Sequence, residues 1–445
     1  MTRPAGHHND QPERLNEEEG VMAGESGRPS RRQVLQGAAA FGAGVGFIGG
    51  WRRASAQAKK PLVIGLTCDA TGTFADSGQA DRRGMLLAIE EQNAKGGVLG
   101  RPVEARWEDT ETDPSVAVRK AQKLIERDKI DFMIGALSSG VAAPLSELAQ
   151  RYGIVYFNSN SSADTVTNEK CQRVNFVWDA NGYMFNQALG PLVAKNLGKK
   201  WFILTHDYVW GKNVTAGTRN VMKTVGAEEA GEIMIPQGTR DFSAQLLRVR
   251  SAKPEVVFAN VAGIEQTALR EQANEFGSDK DANWVFPQQD YPDLFALGAK
   301  KAFGYFTTTW HYTLTDPGSQ DFVQRFRKRW TGAPIEVPDN VSYNGYIATR
   351  ELFRAIERAG TTRNHDVIKA LEGHVIKDTF RKHPSTIREW DHLVGQMIFL
   401  ARAKKEKDMK EKYDLIELIA DMTPAEVSPP RDLSKCKMQS LADTP

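Results

Sequence analysis

Two loops rich in small hydroxyls and amides carry the clearest chemistry in this chain. Ser138-Ser139-Gly140 follows the apolar run IDFMIGAL, and Asn158-Ser159-Asn160-Ser161-Ser162 follows the run IVYF. Between them lies VAAPLSELAQRYG, with apolar residues at Val141, Leu145, Leu148 and Ala149. A serine hydroxyl and the free N–H groups of a helix start both suit a carboxylate. Small side chains also let a ligand reach the backbone. The plainer reading of either loop alone is a polar turn with a helix cap. Two such loops at the carboxyl ends of neighbouring strands favour a ligand site instead.

Acid–base candidates are sparse. His206-Asp207 and Trp310-His311 are the adjacent pairs, and Ser139, His206 and Asp207 are the residue types of a nucleophilic set. No GxSxG elbow, HExxH, GxxxxGK[ST] or paired-cysteine metal spacing accompanies them, and Gly135 and Gly140 do not make a GxGxxG pattern. They read as loop residues that meet ligand or solvent. No metal and no cofactor is expected, and no enzyme activity.

The elements that must position the two loops alternate strand and helix. Pro61 to Leu66 is a buried strand that opens into the polar loop TGTFADSG. A helical pattern through Met85, Leu86 and Ile89 stops at Gly96-Gly97. Val103 to Trp107 alternates as a strand, and Asp113-Pro114 starts a helix. The strand–loop–helix–strand unit from Ile130 to Ala163 completes a first parallel sheet. Phe176 to Gly182 reads as a crossover. The rhythm then restarts with strands at Trp201–Leu204, Glu232–Ile235, Glu255–Ala259, Trp284–Phe286 and Gly304–Thr307. Helical patterns follow at Phe322–Trp330, Val341–Arg358 and His365–Leu371. Two strands, Gln396–Leu400 and Tyr413–Ile419, precede a proline-rich tail. This is an α/β layer architecture with two lobes, and a cleft between them is the expected ligand site.

The first 58 residues differ in kind. Residues 1 to about 29 are polar and lack apolar periodicity, as disordered segments do. Ser30-Arg31-Arg32-Gln33-Val34-Leu35 is a twin-arginine pattern, and a run of small and apolar residues from Gly37 to Gly50 follows it. Ala54-Ser55-Ala56 and Ala56-Gln57-Ala58 offer small-residue cleavage sites. That order is an export signal, with cleavage expected after Ala56 or Ala58. The apolar run is too short for a membrane span, which needs ~20 residues. The expected mature protein is soluble and periplasmic.

The chain has 445 residues and a net charge of +2. Seven arginines and six acids precede Gln57, leaving the mature part near +1. That near-balance, with no basic stripe, argues against a nucleic-acid partner. Of the three cysteines, Cys68 ends the first strand facing the cleft. Export to an oxidising space favours one disulfide. The expected pair is Cys171–Cys436, tying the tail to the body; the alternative is three buried thiols.

From about Pro61 to Met438 the chain resembles the type I periplasmic solute-binding proteins of ABC importers, in the branched-chain amino acid and amide class, like the leucine-binding proteins. The resemblance rests on TGTFADSG, LLAIEEQNAKGGVLGRPVE, EDTETDPSVAVRKAQKLI, IGALSSGVAAPLSELAQ, KKWFILTHDYVWG, TRDFSAQLLRVRSAKPEVVF and YNGYIATRELFRAIERAG, in that order and spacing. It implies two doubly wound α/β lobes joined by a multi-strand hinge. The expected boundaries are a leader and signal at 1–58, a first lobe at 59–182 with 311–392 returning to it, and a second at 183–310 with 393–445 returning to it. It further implies capture of a small carboxylate ligand and its delivery to a membrane permease by a monomer.

Carried over by position, Ser138 and Ser139 hold the ligand carboxylate, and Asn160, Ser161 and Ser162 contact the same head group. Ser77 contributes from the first loop, Trp210 supplies an aromatic wall, and Tyr346 opens the long helix after the second crossover, with Tyr343 beside it. The acid that holds an ammonium falls near Gln288-Gln289-Asp290. Gln289 in that place disfavours a free amino acid, whereas Asp290 permits one. The chain lacks the family's frequent disulfide, having Thr112 and Ser138 there instead. Trp178, Trp210, Trp310, His311 and Tyr312 are rings able to stack on a flat ligand, so an aromatic carboxylate is the alternative. A periplasmic sensor module or a hydrolase using the same cleft are alternatives of other classes.

Overall fold

The structure, a computed structural model, describes residues 59–445. The leader and the twin-arginine segment lie outside the described residues.

The first layer comprises β1 (Leu62–Cys68), α1 (Ala75–Ala94), β2 (Val103–Asp109), α2 (Pro114–Glu126), β3 (Phe132–Gly135), α3 (Ser139–Tyr152), β4 (Tyr156–Asn158) and β5 (Asn175–Val177). Its strands lie in the order β2-β1-β3-β4-β5, all parallel. Every residue of β1 is buried, as a central strand covered by helices on both faces requires. The Asp113 side chain caps α2 by accepting from the Val116 N–H at 2.8 Å, and Gly153 ends α3 at φ 63°. Phe176, expected in the crossover, is the middle of edge strand β5. Three residues are too few to show an alternating pattern.

The second layer begins with α4 (Gly182–Asn196), β6 (Lys200–His206), α5 (Val209–Val225), β7 (Glu228–Ile235) and α6 (Ser243–Ala252). It continues with β8 (Val256–Asn260), α7 (Ile264–Glu275), β9 (Asn283–Phe286), α8 (Tyr291–Leu297) and β10 (Tyr305–Thr308). Helices α9 (Ser319–Arg329), α10 (Asn340–Ala359) and α11 (Asn364–Leu371) follow. Strands β11 (Val375–Ile376), β12 (Ser385–Ile387) and β13 (Val394–Gly395) then form a small antiparallel sheet. The chain closes with β14 (Ile398–Ala403), β15 (Ile416–Met422) and α12 (Pro424–Val427). The second sheet is ordered β15-β14-β10-β9-β8-β6-β7, parallel except that β14 runs antiparallel to both its neighbours.

Helix α10 returns to the first layer and lies against α1. A Cβ on Gly84 would sit 1.9 Å from the Ser342 carbonyl oxygen, so only glycine permits this approach. An Asp339–Ser342 capping box starts α10. The three segments that cross between the layers are tied together. Gln396 donates to the Trp178 carbonyl at 2.8 Å, and Arg381 donates to Gln396 and to the Thr309 carbonyl at 2.9 and 3.0 Å.

Cys171 and Cys436 form a disulfide, and Cys68 is a buried free thiol. After β15 the tail leaves the second layer and ends on the first. His365 meets the Thr444 carbonyl at 2.8 Å, and Arg173 donates to the Gln439 carbonyl at 2.8 Å. The disulfide and these bonds, with Gln150 of α3 donating to Gln439 and Thr444, hold the last ten or so residues against α3 and α11. Among the described residues no helix is long and apolar enough to cross a membrane.

Candidate functional site

The carboxyl ends of both sheets meet at one small cavity. The first layer lines it with Phe74, Leu137, Asn160 and Ser162. The second layer contributes Tyr208 and Trp210 at the start of α5, and Ala262, Gly263 and Gln266 at the start of α7. Gln288, Asp290 and Asp293 come from the β9–α8 turn and α8. Its free volume is about 20 Å³, room for a single water. Parallel strands end here on both sides, which is why loops from six different elements converge.

The layers touch through a continuous polar chain. Trp210 Nε1 donates to Ser162 Oγ at 2.9 Å, and that hydroxyl donates to Gln288 Oε1 at 2.7 Å. Gln288 Nε2 donates to Asp179 at 3.0 Å. Asn344 of α10 donates to both Asp179 and Asn160, at 3.1 and 3.0 Å. Asn340 donates to Asp290 Oδ1 at 3.2 Å. The Ile264 N–H donates to the Thr73 carbonyl of the opposite layer at 3.3 Å. Gly263, at φ 67°, makes that contact possible, because a Cβ there would sit 2.5 Å from the Thr73 methyl.

The electrostatics of the cavity are one-sided. Asp290 and Asp293 line it, and no basic side chain does. Burial pushes the Asp290 carboxyl up to about 6, with Asp339 adding to the rise and the Asn340, Gln288 and Ser77 hydrogen bonds opposing it. Burial also raises Asp179 and Asp293, and the charge of Asp290 raises each further. Arg270 is the cation that lowers Asp293. Its guanidinium is buried against the Phe286 ring at 3.6 Å and has no hydrogen-bond partner among the described residues.

Four residues singled out from sequence line the cavity: Asn160, Ser162, Trp210 and Asp290. The others do not. Ser77 is buried and does not line the cavity; its hydroxyl is one of the groups that hold Asp290 down. Ser138 is the residue before α3, and Ser139 Oγ accepts the Ala163 N–H at 3.1 Å, shaping the second loop from behind. Ser161 exchanges hydrogen bonds with Asn158. Gln289 turns its amide onto the Asp290 carbonyl at 2.7 Å, so Asp290 and not Gln289 faces the cavity. Tyr346 lies elsewhere, donating to Glu91 at 2.6 Å beside Arg325, because its face of α10 packs on α1 and α9.

Of the rings expected to stack on a ligand, only Trp210 lines the cavity; Tyr208 and Phe74 join it. Trp310 stacks on Tyr343 at 5.2 Å, and Trp178 packs on Phe157 in the core. His311 and Tyr312 pack against each other nearby. His206 is buried, neither ring nitrogen has a partner, and burial pulls it down to about 4. No Ser139–His206–Asp207 relay is assembled, and Asp207 pairs with Lys212 instead. Among the described residues no cluster of His, Cys, Asp or Glu has the geometry to hold a metal.

Sequence reasoning named Gln288 only as part of the stretch around the ammonium-holding acid, and missed Asp179, Asp293, Asn340 and Asn344. They sit in a crossover, a turn and two helices, and nothing local marks them as neighbours.

Residues 61–408 match the family model described as periplasmic binding protein. A Leu/Ile/Val-binding protein homolog of Brucella melitensis is 26% identical over 341 residues, covering 76% of this chain and 88% of that protein. The crystal structure of a periplasmic binding protein from Burkholderia mallei is 26% identical, with a TM-score of 0.78 over 85% of this chain and 98% of that one. A solute-binding protein of an ABC transporter from R. palustris, solved with benzoate, is 22% identical with a TM-score of 0.74, covering 85% and 99%. That last likeness is one of fold.

Proposed function

Because this chain belongs to the periplasmic binding protein family, we propose that it captures a small zwitterion of the amino-acid type between two closing lobes and hands it to a membrane permease. The family's members are substrate-binding proteins of ABC transporters, not enzymes. One observation carries the choice of ligand. The cavity wall from the second layer presents two carboxyl groups, Asp290 and Asp293, with no lining base, and Asp290 is ionised above about pH 6. A ligand ammonium neutralises that wall; a ligand with only a carboxylate meets like charge. Ser162 of the first layer, with the Trp210 indole N–H and the Tyr208 hydroxyl at the start of α5, are donors for the ligand carboxylate.

The boundaries that fit this role are residues 59–182 plus 311–392 for one lobe and 183–310 plus most of 393–445 for the other. With about 20 Å³ free, the lobes must part to admit any amino acid, and the ligand then stabilises reclosure by touching both. Export by the twin-arginine route rests on Ser30-Arg31-Arg32 and the apolar run after it. Arg31→Lys with Arg32→Lys should leave the precursor in the cytoplasm; periplasmic protein from that variant would refute the route.

An aromatic carboxylate is the second reading, favoured by the Tyr208 and Trp210 rings stacked on one wall. A thermal-shift screen with leucine, isoleucine, valine, short amides and benzoate separates the two. A ligand at 100 times its Kd adds about 2.7 kcal/mol of stability. The expected result is a shift with an amino acid that Asp290→Asn abolishes. A shift with benzoate alone, kept in Asp290→Asn, would remove the ammonium site.

A further inference from the structure

A second, larger cavity lies outside the cleft, between α1 of the first layer and α8 of the second. Its volume is about 660 Å³, in the range of small-molecule sites. Leu86, Phe295 and Trp330 give it an apolar body. Its polar lining is mainly arginine, and two of the three arginines have donors to spare. Arg82 makes no hydrogen bond or ion pair within the described residues; its guanidinium stacks on Trp107 at 4.0 Å and its Nε is buried without a partner. Arg83 uses one Nη on the Ile335 carbonyl at 3.0 Å, and its Nε is likewise buried and unpartnered. The Trp330 Nε1 is a third buried donor without an acceptor. Arg329, by contrast, is held by both oxygens of Glu90. The one acid in the lining is Asp76, at the start of α1.

We propose that this groove is a second binding site, for an organic monoanion: a carboxylate head on an apolar body. Buried donors without acceptors are costly, and an arriving carboxylate satisfies them. The planar guanidinium groups suit a planar acid, and the apolar walls take up the remainder of the molecule. A cation meets two arginines that make no ion pair within the described residues, and a neutral amphiphile satisfies fewer of the donors and none of their charge. The walls come from both layers, so the occupant joins them. Helix α8 starts just after Asp290, in the cleft, and carries Phe295 and Ala296 into the groove. Occupancy therefore favours the closed arrangement from outside the cleft.

Titration calorimetry of octanoate into the full chain, without any cleft ligand, tests this. Saturable one-to-one binding is expected, at least tenfold weaker for octan-1-ol. Arg82→Gln with Arg83→Gln should weaken octanoate at least tenfold. Ala296→Trp, at an exposed position of the groove wall, should do the same by filling it. Absence of saturable binding overturns the proposal. So does equal binding of octan-1-ol, or binding untouched by both groove variants, which would place the anion in the cleft. None of these outcomes depends on the ligand the cleft itself takes.

Discussion

Asp290 makes the cleft sensitive to pH. Its carboxyl is held at about 6, above the ordinary value of about 3.9. The native state therefore binds more protons than the unfolded chain between pH ~4 and ~6. The stability this group contributes is present at low pH and lost as pH rises through that window. Ligand binding runs the other way. A ligand ammonium needs the ionised carboxylate, so affinity for an amino acid should fall about tenfold from pH 7.5 to pH 5. A ligand bearing only a carboxylate should tighten instead as pH falls. Calorimetry at pH 5, 6 and 7.5 reads the sign directly, and a flat profile would mean that Asp290 does not contact the ligand. The residues legible in advance, Asn160, Ser162, Trp210 and Asp290, sit at strand ends or helix starts, where position alone puts a side chain near the cleft. Asp179 and Asn344 were not legible, because their roles depend on a crossover and a returning helix that meet only in three dimensions. Tyr346 misled for a related reason: periodicity places it on α10 but does not say which neighbour its face meets.

Helix α7 touches the opposite layer through one backbone hydrogen bond. Its first N–H, from Ile264, reaches the Thr73 carbonyl of the opposite layer over the bare backbone of Gly263. Gly263→Ala adds a methyl group 2.5 Å from the Thr73 side chain at a φ of 67°, where side chains are disfavoured. The expected result is a shift toward the open arrangement, a larger radius in small-angle scattering and weaker ligand binding with little loss of thermal stability. An unchanged radius and affinity would mean that this bond does not help hold the lobes together. The α1–α10 pair makes the opposite use of glycine. Gly84→Ala drives a methyl group into the Ser342 carbonyl, inside one layer, and should cost about 1–3 kcal/mol of stability without favouring opening. Chemical denaturation separates these two effects. The long helices were readable from apolar period and caps, as in Asp113-Pro114. Edge strand β5 and the small sheet β11-β12-β13 were not, since strands of two or three residues have no period to read.

The two layers are linked by three crossings and by the tail. The disulfide joins positions 265 residues apart. Closing so long a loop in the unfolded chain stabilises the native state by on the order of 5 kcal/mol in the chain-entropy model. Cys436→Ser should therefore lower the midpoint of guanidinium unfolding while leaving ligand affinity intact, since neither cysteine lines the cleft. An unchanged midpoint would mean that the tail adds nothing to global stability. The two-lobe plan was readable from the restart of the strand–helix rhythm after Gly182. The tail's landing place was not, because the final residues have no periodic pattern and are fixed by a few polar contacts. The bond has a further consequence for survival among proteases. Residues 171 to 436 form a covalent ring that contains the whole second sheet. A single cut anywhere within it opens the ring and frees no fragment. Such a nicked molecule would migrate as one band until a thiol is added, and only then fall into two pieces.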